Sequence, residues 1–531
     1  MIRGYRLLGG VTTALLVALA ACAPVEDDDG VATDPDTDDE AGETEDAGDM
    51  ELDEDATFRY AYTISPTRFD PHLSATPFDL TTLAVTYDRL IHRSVDAEPI
   101  PGLAEDWEFV DDDTALELSI REGVTFHDGE PLDAEAVAAN IERALTVEGS
   151  TAAASLAAID EVTVEDDMTV RLDFDGPGGH IPLALSDRAG MMISPEAFDN
   201  EDLDQQPVGA GMYEVAEYRQ DDVTVFEPYG DYWDPEAINV SRFEIHVMPD
   251  EQTRLNAMRD GQIDATFLDH YQWEEAEGHG LNVEGVVTLA HYGVGFNRSR
   301  EPFDDTRVRQ AINHAIDRDA LIEGVLFGHG EPAVQPFPDG HWAHNPDVTD
   351  RYPYDPERAQ ELLAEAGYEE GELEFELINP GLDLHTRTAE AVQAQLEEVG
   401  VTANIRTVET VQAPDIFYGQ EDGDAVVGPD SGPADPSLLV QQAFMPGFFN
   451  PGDHVVDEVA ELHTAAMEPP TVEERSEAFQ PLIEAITEEA LAVYLFHDIQ
   501  PNAWTDRVVG FELAQGPRQP EFRGVGIRAE E

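Results

Sequence analysis

Apolar and polar positions alternate with a period of two in several separate stretches. Phe58, Tyr60, Tyr62 and Ile64 form the first, followed by Leu116, Leu118 and Ile120, then Val170, Leu172 and Phe174. Phe243, Ile245 and Val247 repeat the pattern, as do Leu373, Phe375 and Leu377. That period predicts strands with one buried face. Between them the period lengthens to that of a helix. Asp133 is placed to cap a helix with Val137, Ile141 and Leu145 on its apolar face. Val308, Ala311, Ile312, Ala315 and Ile316 form a second stripe. Asp355-Pro356 opens a third helix, Leu362 and Leu363 face inward, and Gly367 ends it. A fourth is expected over 386–399, and a fifth carries Phe479, Ile483 and Ile486 before an apolar strand at 491–496. Strands and helices in alternation predict the α/β class. No tandem repeat of solenoid period is present.

The first 56 residues do not share this patterning. Arg3 and Arg6 precede an apolar run over 7–21, which reads as an export signal and falls short of the ~20 residues of a membrane span. Leu19-Ala20-Ala21-Cys22 resembles the lipobox of bacterial lipoproteins, and the resemblance implies cleavage before Cys22 and lipidation of its sulfur. The alternative is an ordinary signal peptide with an incidental cysteine. Residues 26–55 then carry 17 acidic and no basic side chains, so 22–56 is expected to be a disordered tether.

Charge changes the picture further. The chain has 114 acidic against 28 basic residues, a formal charge of −86, and every base is arginine. Such an excess repels nucleic acid. Spread along the whole chain, it reads as adaptation to a saline exterior, where the Debye length falls to ~3 Å at molar salt. Cys22 is the single cysteine, which excludes an internal disulfide framework. No phosphate loop, HExxH or GxSxG motif occurs, and no cofactor is implied. His341 and His344 in "DGHWAHNP" read as exposed loop histidines rather than metal ligands.

Four stretches together resemble one family, the extracytoplasmic solute-binding proteins of ABC importers that take oligopeptides, dipeptides, nickel and related solutes. They are "FDPHLS" at 69–74, the block 103–145 containing "VTFHDGEPLDAEAV", "GFNRSREPFDDTRVRQAINHAIDR" at 295–318, and "YDPERAQELLAEAGY" at 354–368. The resemblance implies a two-lobed, hinged α/β fold of the periplasmic-binding-protein type (type II, class C). Lobe 1 would comprise 57–290 and 493–531, with an extra subdomain near 100–200, and lobe 2 would comprise 291–492. It further implies a monomer that captures a peptide-like solute, is held at the membrane by its lipid, and delivers to a membrane permease, with no catalysis. Nickel chelates, haem and oligosaccharides are alternative solutes. An enzyme or adhesion protein on the same scaffold is the alternative of a different class.

In peptide-binding members an aspartate of a second-lobe loop pairs with the ligand ammonium. The matching stretch here is "GPDSGPADPS" at 428–437. Asp435-Pro436 fits its closing pair, which makes Asp435 a candidate ligand-binding residue, but Gly432 stands where that aspartate is expected. Asp430 either takes its place or is one more solvated acid. Arg387 either binds a carboxylate at a helix start or pairs with Glu390. Tyr292, Trp342 and Trp504 either line the cleft or pack the core. Arg307 and Arg309 read as local ion-pair partners of Asp304 and Asp305.

Overall fold

The computed structural model describes residues 51–529 except 75, 95, 201, 431–432 and 514–519. The signal segment, Cys22, most of the tether and Gly432 therefore lie outside the described residues. Two sheets organise the rest. The first has seven strands in the order Asn282–Glu284, Asn502–Trp504, Ala265–Phe267, Thr57–Tyr62, Arg242–Val247, Val223–Pro228 and Tyr213–Arg219. Thr57–Tyr62 pairs in parallel with both neighbours, and Phe58 lies opposite Phe243. The alternation seen in the sequence puts Phe58 and Tyr60 in one aromatic core. Phe58 meets Phe243 at 5.3 Å between ring centroids, and Tyr60 meets Phe522 edge-on at 5.2 Å.

A four-stranded antiparallel sheet hangs from this lobe, in the order Ala104–Val110, Ala115–Ile120, Thr169–Phe174 and Ile159–Asp166. Helix Ala134–Thr146 covers it, burying Val137, Ile141 and Ala144 with Leu116, Leu118 and Leu172. The helix starts where expected because the Asp133 carboxylate accepts the Ala136 amide at 3.0 Å. In the tight turn after Phe126, Gly129 has φ +85°, a conformation that favours glycine.

The second sheet has six strands, Gly330–Pro332, Ala492–Ile499, Val287–Phe296, Ala425–Asp430, Glu374–Asn379 and Thr402–Thr407. Helices Thr306–His314, Pro356–Ala366 and Asp383–Glu398 share one core with it. Asp355 caps the second of these through the Arg358 amide at 2.9 Å, and Gly367 ends it at φ +101°. The third begins at Asp383 rather than 386, because the Thr386 amide already reaches back to the Leu382 carbonyl at 2.8 Å. Helices Pro436–Phe444, Asp457–Met467 and Val472–Glu488 bury a separate cluster with Phe444, Val459, Phe479 and Ile483 in it.

Sheet membership moves three expected boundaries. The chain leaves the first sheet after Glu284 and enters the second at Val287, not at 291. It returns after Ile499, not near 493, because Val493 and Phe496 pair with Val294 and Tyr292 of the second sheet. Residues 51–56 are not tether. Leu52 bridges Arg528, and the Asp53 amide donates to the Ile527 carbonyl at 2.8 Å, tying this stretch to the C-terminal end.

Arginine, the only basic residue besides histidine in this chain, is used inside the fold. Arg309 is buried and donates to the carbonyls of Phe303, Glu489 and Ala490, so it ties its helix to a distant turn rather than pairing locally. Arg307 does pair locally, with Asp305 at 2.5 Å. The fork of guanidinium donors suits this clamping of several carbonyls at once.

Candidate functional site

The 287–296 strand has two unlike faces. Tyr292, Val294 and Phe296 point into the core of the second lobe. His291, Gly293 and Gly295 occupy the alternate positions, and a strand sends alternate side chains to opposite faces. Register extends that second face to the neighbours: Gly428 lies opposite Gly293, and Val426 opposite Gly295. On the other flank Tyr494 and Ala492 are the partners. Three glycines and an alanine thus leave a trough over the middle of the sheet. A cavity of about 540 Å³ lies there, and all these residues line it.

The walls are aromatic and aliphatic. The second lobe supplies Phe417, Tyr418, Phe444 and Phe449, and the first supplies Tyr62 and Phe78. The cavity is therefore shared by both lobes. Its polar groups are few: His291, His385, Arg298, Thr410 and the tyrosine hydroxyls. No carboxylate is among the lining residues described.

Glycine in a strand interior weakens it and often marks close approach of a ligand. A Cβ at Gly428 would come no nearer than 3.6 Å to His385, an ordinary contact. Gly428→Val is therefore expected to fold with nearly unchanged melting temperature while its added methyls occupy the trough. Solute affinity should fall at least tenfold by calorimetric titration, and undiminished affinity would move the site elsewhere.

The lobes also touch each other outside the cavity wall. Arg387 reaches Asp269 of the first lobe at 3.6 Å, which replaces the expected pairing with Glu390. His270 and Asp498 share a hydrogen bond of 2.9 Å, fully buried beside the crossing. Arg475 of the second lobe donates to the Gly179 carbonyl at 3.3 Å, and the Gly179 amide donates to the Met467 carbonyl at 3.0 Å.

The residues singled out in the sequence are not brought together. Asp430 ends its strand opposite His291, next to cavity-lining Pro429, and its side chain lies outside the described residues. Asp435, expected to bind ligand, is instead fully buried and is not among the cavity-lining residues, because its carboxylate is taken up inside the protein. It accepts from Arg475 at 2.5 and 2.8 Å and caps helix Pro436–Phe444 through the Ser437 amide at 2.8 Å. Burial pushes its carboxyl up, but the charge and hydrogen bonds of Arg475 outweigh that and hold it below the usual range. Tyr292 is buried with its ring stacked on Phe496 at 4.9 Å, on the face away from the trough. Trp342 packs edge-on against Phe479 at 5.3 Å with the Arg475 guanidinium over its ring. Trp504 pairs with Ala265 in the first sheet, its ring against Phe511. None of these three aromatic residues is in the cavity wall. His341 is buried, not exposed, between the rings of Phe337 and Trp342, and burial pushes its imidazole down to about 3.

What the sequence reading missed is the trough itself, along with Arg298 and His385. The "GVG" at 293–295 inside an apolar strand was the available signal. The aromatic walls come from loops and helices far apart in the chain and carry no local mark.

A family model described as bacterial extracellular solute-binding proteins, family 5 middle, matches residues 98–439. The heme-binding protein A of Haemophilus influenzae is 30% identical over 397 residues, 66% of this chain and 70% of that one. The glutathione-binding protein GsiB of Pectobacterium atrosepticum is 28% identical over 356 residues, 65% of this chain and 68% of that one. Among solved structures, the periplasmic binding protein DppA of Helicobacter pylori, in complex with peptide STSA, has a TM-score of 0.78 at 22% identity, covering 89% of this chain and 98% of that one, a likeness of fold. The two-lobed α/β architecture is that of periplasmic binding proteins. The chain belongs to the family 5 extracellular solute-binding proteins, which capture a small solute between two lobes outside the cytoplasm on behalf of an ABC importer.

Proposed function

We propose that the solute is a short peptide, or a peptide-like compound, with apolar side chains. The observation that carries this reading is the interlobe cavity of about 540 Å³, apolar for most of its wall, with a few convergent polar groups. Pockets of this kind bind small molecules by burying apolar surface and fix their orientation by a handful of hydrogen bonds. A relative named for glutathione and a structural neighbour holding a peptide support it. The absence of a carboxylate from the described wall tells against a site built around the peptide ammonium, unless Asp430 supplies it. Contacts from both lobes favour the closed arrangement, and only such differential binding drives closure. In this reading Cys22 carries the lipid anchor, and the tether keeps a monomer close to its permease.

Thermal shift with apolar di- to pentapeptides, set against a nickel chelate, haem and an oligosaccharide, tests the reading. A solute at a hundredfold excess over Kd stabilises by about 2.7 kcal/mol, which moves the melting temperature measurably. Stabilisation by peptides alone is expected. A shift with haem or the nickel chelate and none with peptides would replace the reading.

A further inference from the structure

Arg298 stands apart from the other polar groups of the cavity wall. Its side chain is buried. Its Nη1 donates to the Leu491 carbonyl at 2.9 Å, and its Nη2 to the Ala443 carbonyl at 2.9 Å and the Asn450 side-chain oxygen at 2.8 Å. All three acceptors are neutral. The Nε–H has no acceptor among the described residues, and no carboxylate there stands within ion-pairing distance of the guanidinium.

A buried cation without a counter-charge is costly, because neutral acceptors restore only part of its lost hydration. With 114 acidic residues in 531, more than one position in five is a carboxylate. Arg307, Arg387 and Arg475 all have one. Arg254 and Arg318 are likewise buried without one and held by backbone carbonyls, but of these three only Arg298 lines the cavity. Its guanidinium lies over the ring of cavity-lining Phe444 at 5.1 Å, and Tyr418, Tyr494 and the cationic Arg309 act on its charge. Burial and Arg309 push its guanidinium down to about 10, which leaves it charged at neutral pH. A carboxylate of the protein placed here would neutralise that charge before any solute arrived.

We propose that Arg298, lining the cavity with its charge uncompensated, recognises an anionic group of the solute, a carboxylate. The proposal deepens the peptide reading, in which the carboxylate is the peptide C-terminus. It does not require a peptide, since any apolar acid of fitting size presents the same group. The site would then be apolar along its walls with one fixed cation, selecting amphiphilic acids over neutral analogues of equal shape. Leaving the guanidinium half-satisfied in the free protein makes rejection strong as well as binding favourable, because a neutral solute covers the charge without pairing it.

Two matched sets of probes test this by calorimetric titration: apolar di- to pentapeptides as free acids and as C-terminal amides, and apolar non-peptide carboxylates with their amides. Acids are expected to bind at least tenfold more tightly than their amides, and Arg298→Gln is expected to level the two. Arg298→Lys should retain part of the preference, and the acid–amide comparison on the unaltered protein stands even if Arg298→Gln does not fold. Amides binding as tightly as acids would overturn the proposal while leaving the peptide reading intact. Acid preference among non-peptides, with peptides of both kinds silent, would support Arg298 and remove the peptide reading. An acid preference undiminished in Arg298→Gln, or no binding by any acid, would also overturn the proposal.

Discussion

Asp435→Ala is expected to destabilise the protein by about 3–5 kcal/mol, the cost of leaving one member of a buried ion pair alone. Both carboxylate oxygens engage Arg475, whose side chain is 2% exposed, and the Asp435 side chain is 0% exposed. The same carboxylate caps helix Pro436–Phe444, and losing a cap adds about 1 kcal/mol. Arg475 would keep its bonds to the Ala466 and Gly179 carbonyls and its place over Trp342, but no negative charge. Denaturant unfolding measures the loss, and a change under 1 kcal/mol would show that the pair is dispensable. Asp435→Asn separates the two roles, since asparagine caps a helix but does not answer the charge. Because Arg475 also touches the first lobe through Gly179, both variants should close less readily over a solute.

Acid should weaken the fold well before most carboxylates titrate. Burial pushes His72 and His127 down to about 4 and His341 down to about 3, with the Arg143 charge adding to the effect at His72. In the unfolded chain these imidazoles take protons near the ordinary pKa of about 6.5. Between that value and the native ones the unfolded state binds more protons, so stability rises with pH across the window and falls as pH drops through it. At pH 5.5 each histidine withholds about 1.4 kcal/mol, roughly 4 kcal/mol for the three. Relief of repulsion among the acidic residues acts the other way, and molar salt shortens the Debye length to ~3 Å and suppresses it. Unfolding free energies measured in molar salt from pH 7 to pH 5 should therefore decline, and a flat profile would mean that these rings are not buried neutral.

The elements were legible because their signals are local. Phe58, Tyr60 and Phe243 announce strands by alternation, and Asp133 and Asp355 announce helix starts through one hydrogen bond within a single turn. Membership of a lobe was less so. The 492–499 strand reads as apolar and β-forming in either sheet, and only its register against Val287–Phe296 assigns it to the second. The site was hardest. Parity decides that Tyr292 goes inward while Gly293 opens the trough, and nothing in the local sequence says which face of that strand meets the other lobe. Arg298 sits in a block whose neighbouring arginines, Arg300, Arg307 and Arg309, each have a carboxylate partner, and its own lack of a counter-charge is a property of three chain segments meeting. Asp435 was marked by its motif position, but as a ligand contact; Arg475, forty residues on, which makes it a buried structural carboxylate instead, carried no local signal.

The first lobe borrows its second strand from the far end of the chain. Asn502–Trp504 lies between Asn282–Glu284 and Ala265–Phe267 and pairs with both. Until more than nine-tenths of the polypeptide has emerged, that sheet has a vacant slot with unpaired amides and carbonyls on either side, a template for pairing with foreign strands. Completion thus waits on contacts of long sequence separation, which form slowly. A chain threaded outward from its N-terminus would need to be kept apart from its neighbours until its last segment arrives, and a copy clipped before residue 502 would retain an intact second lobe beside a first that never seals.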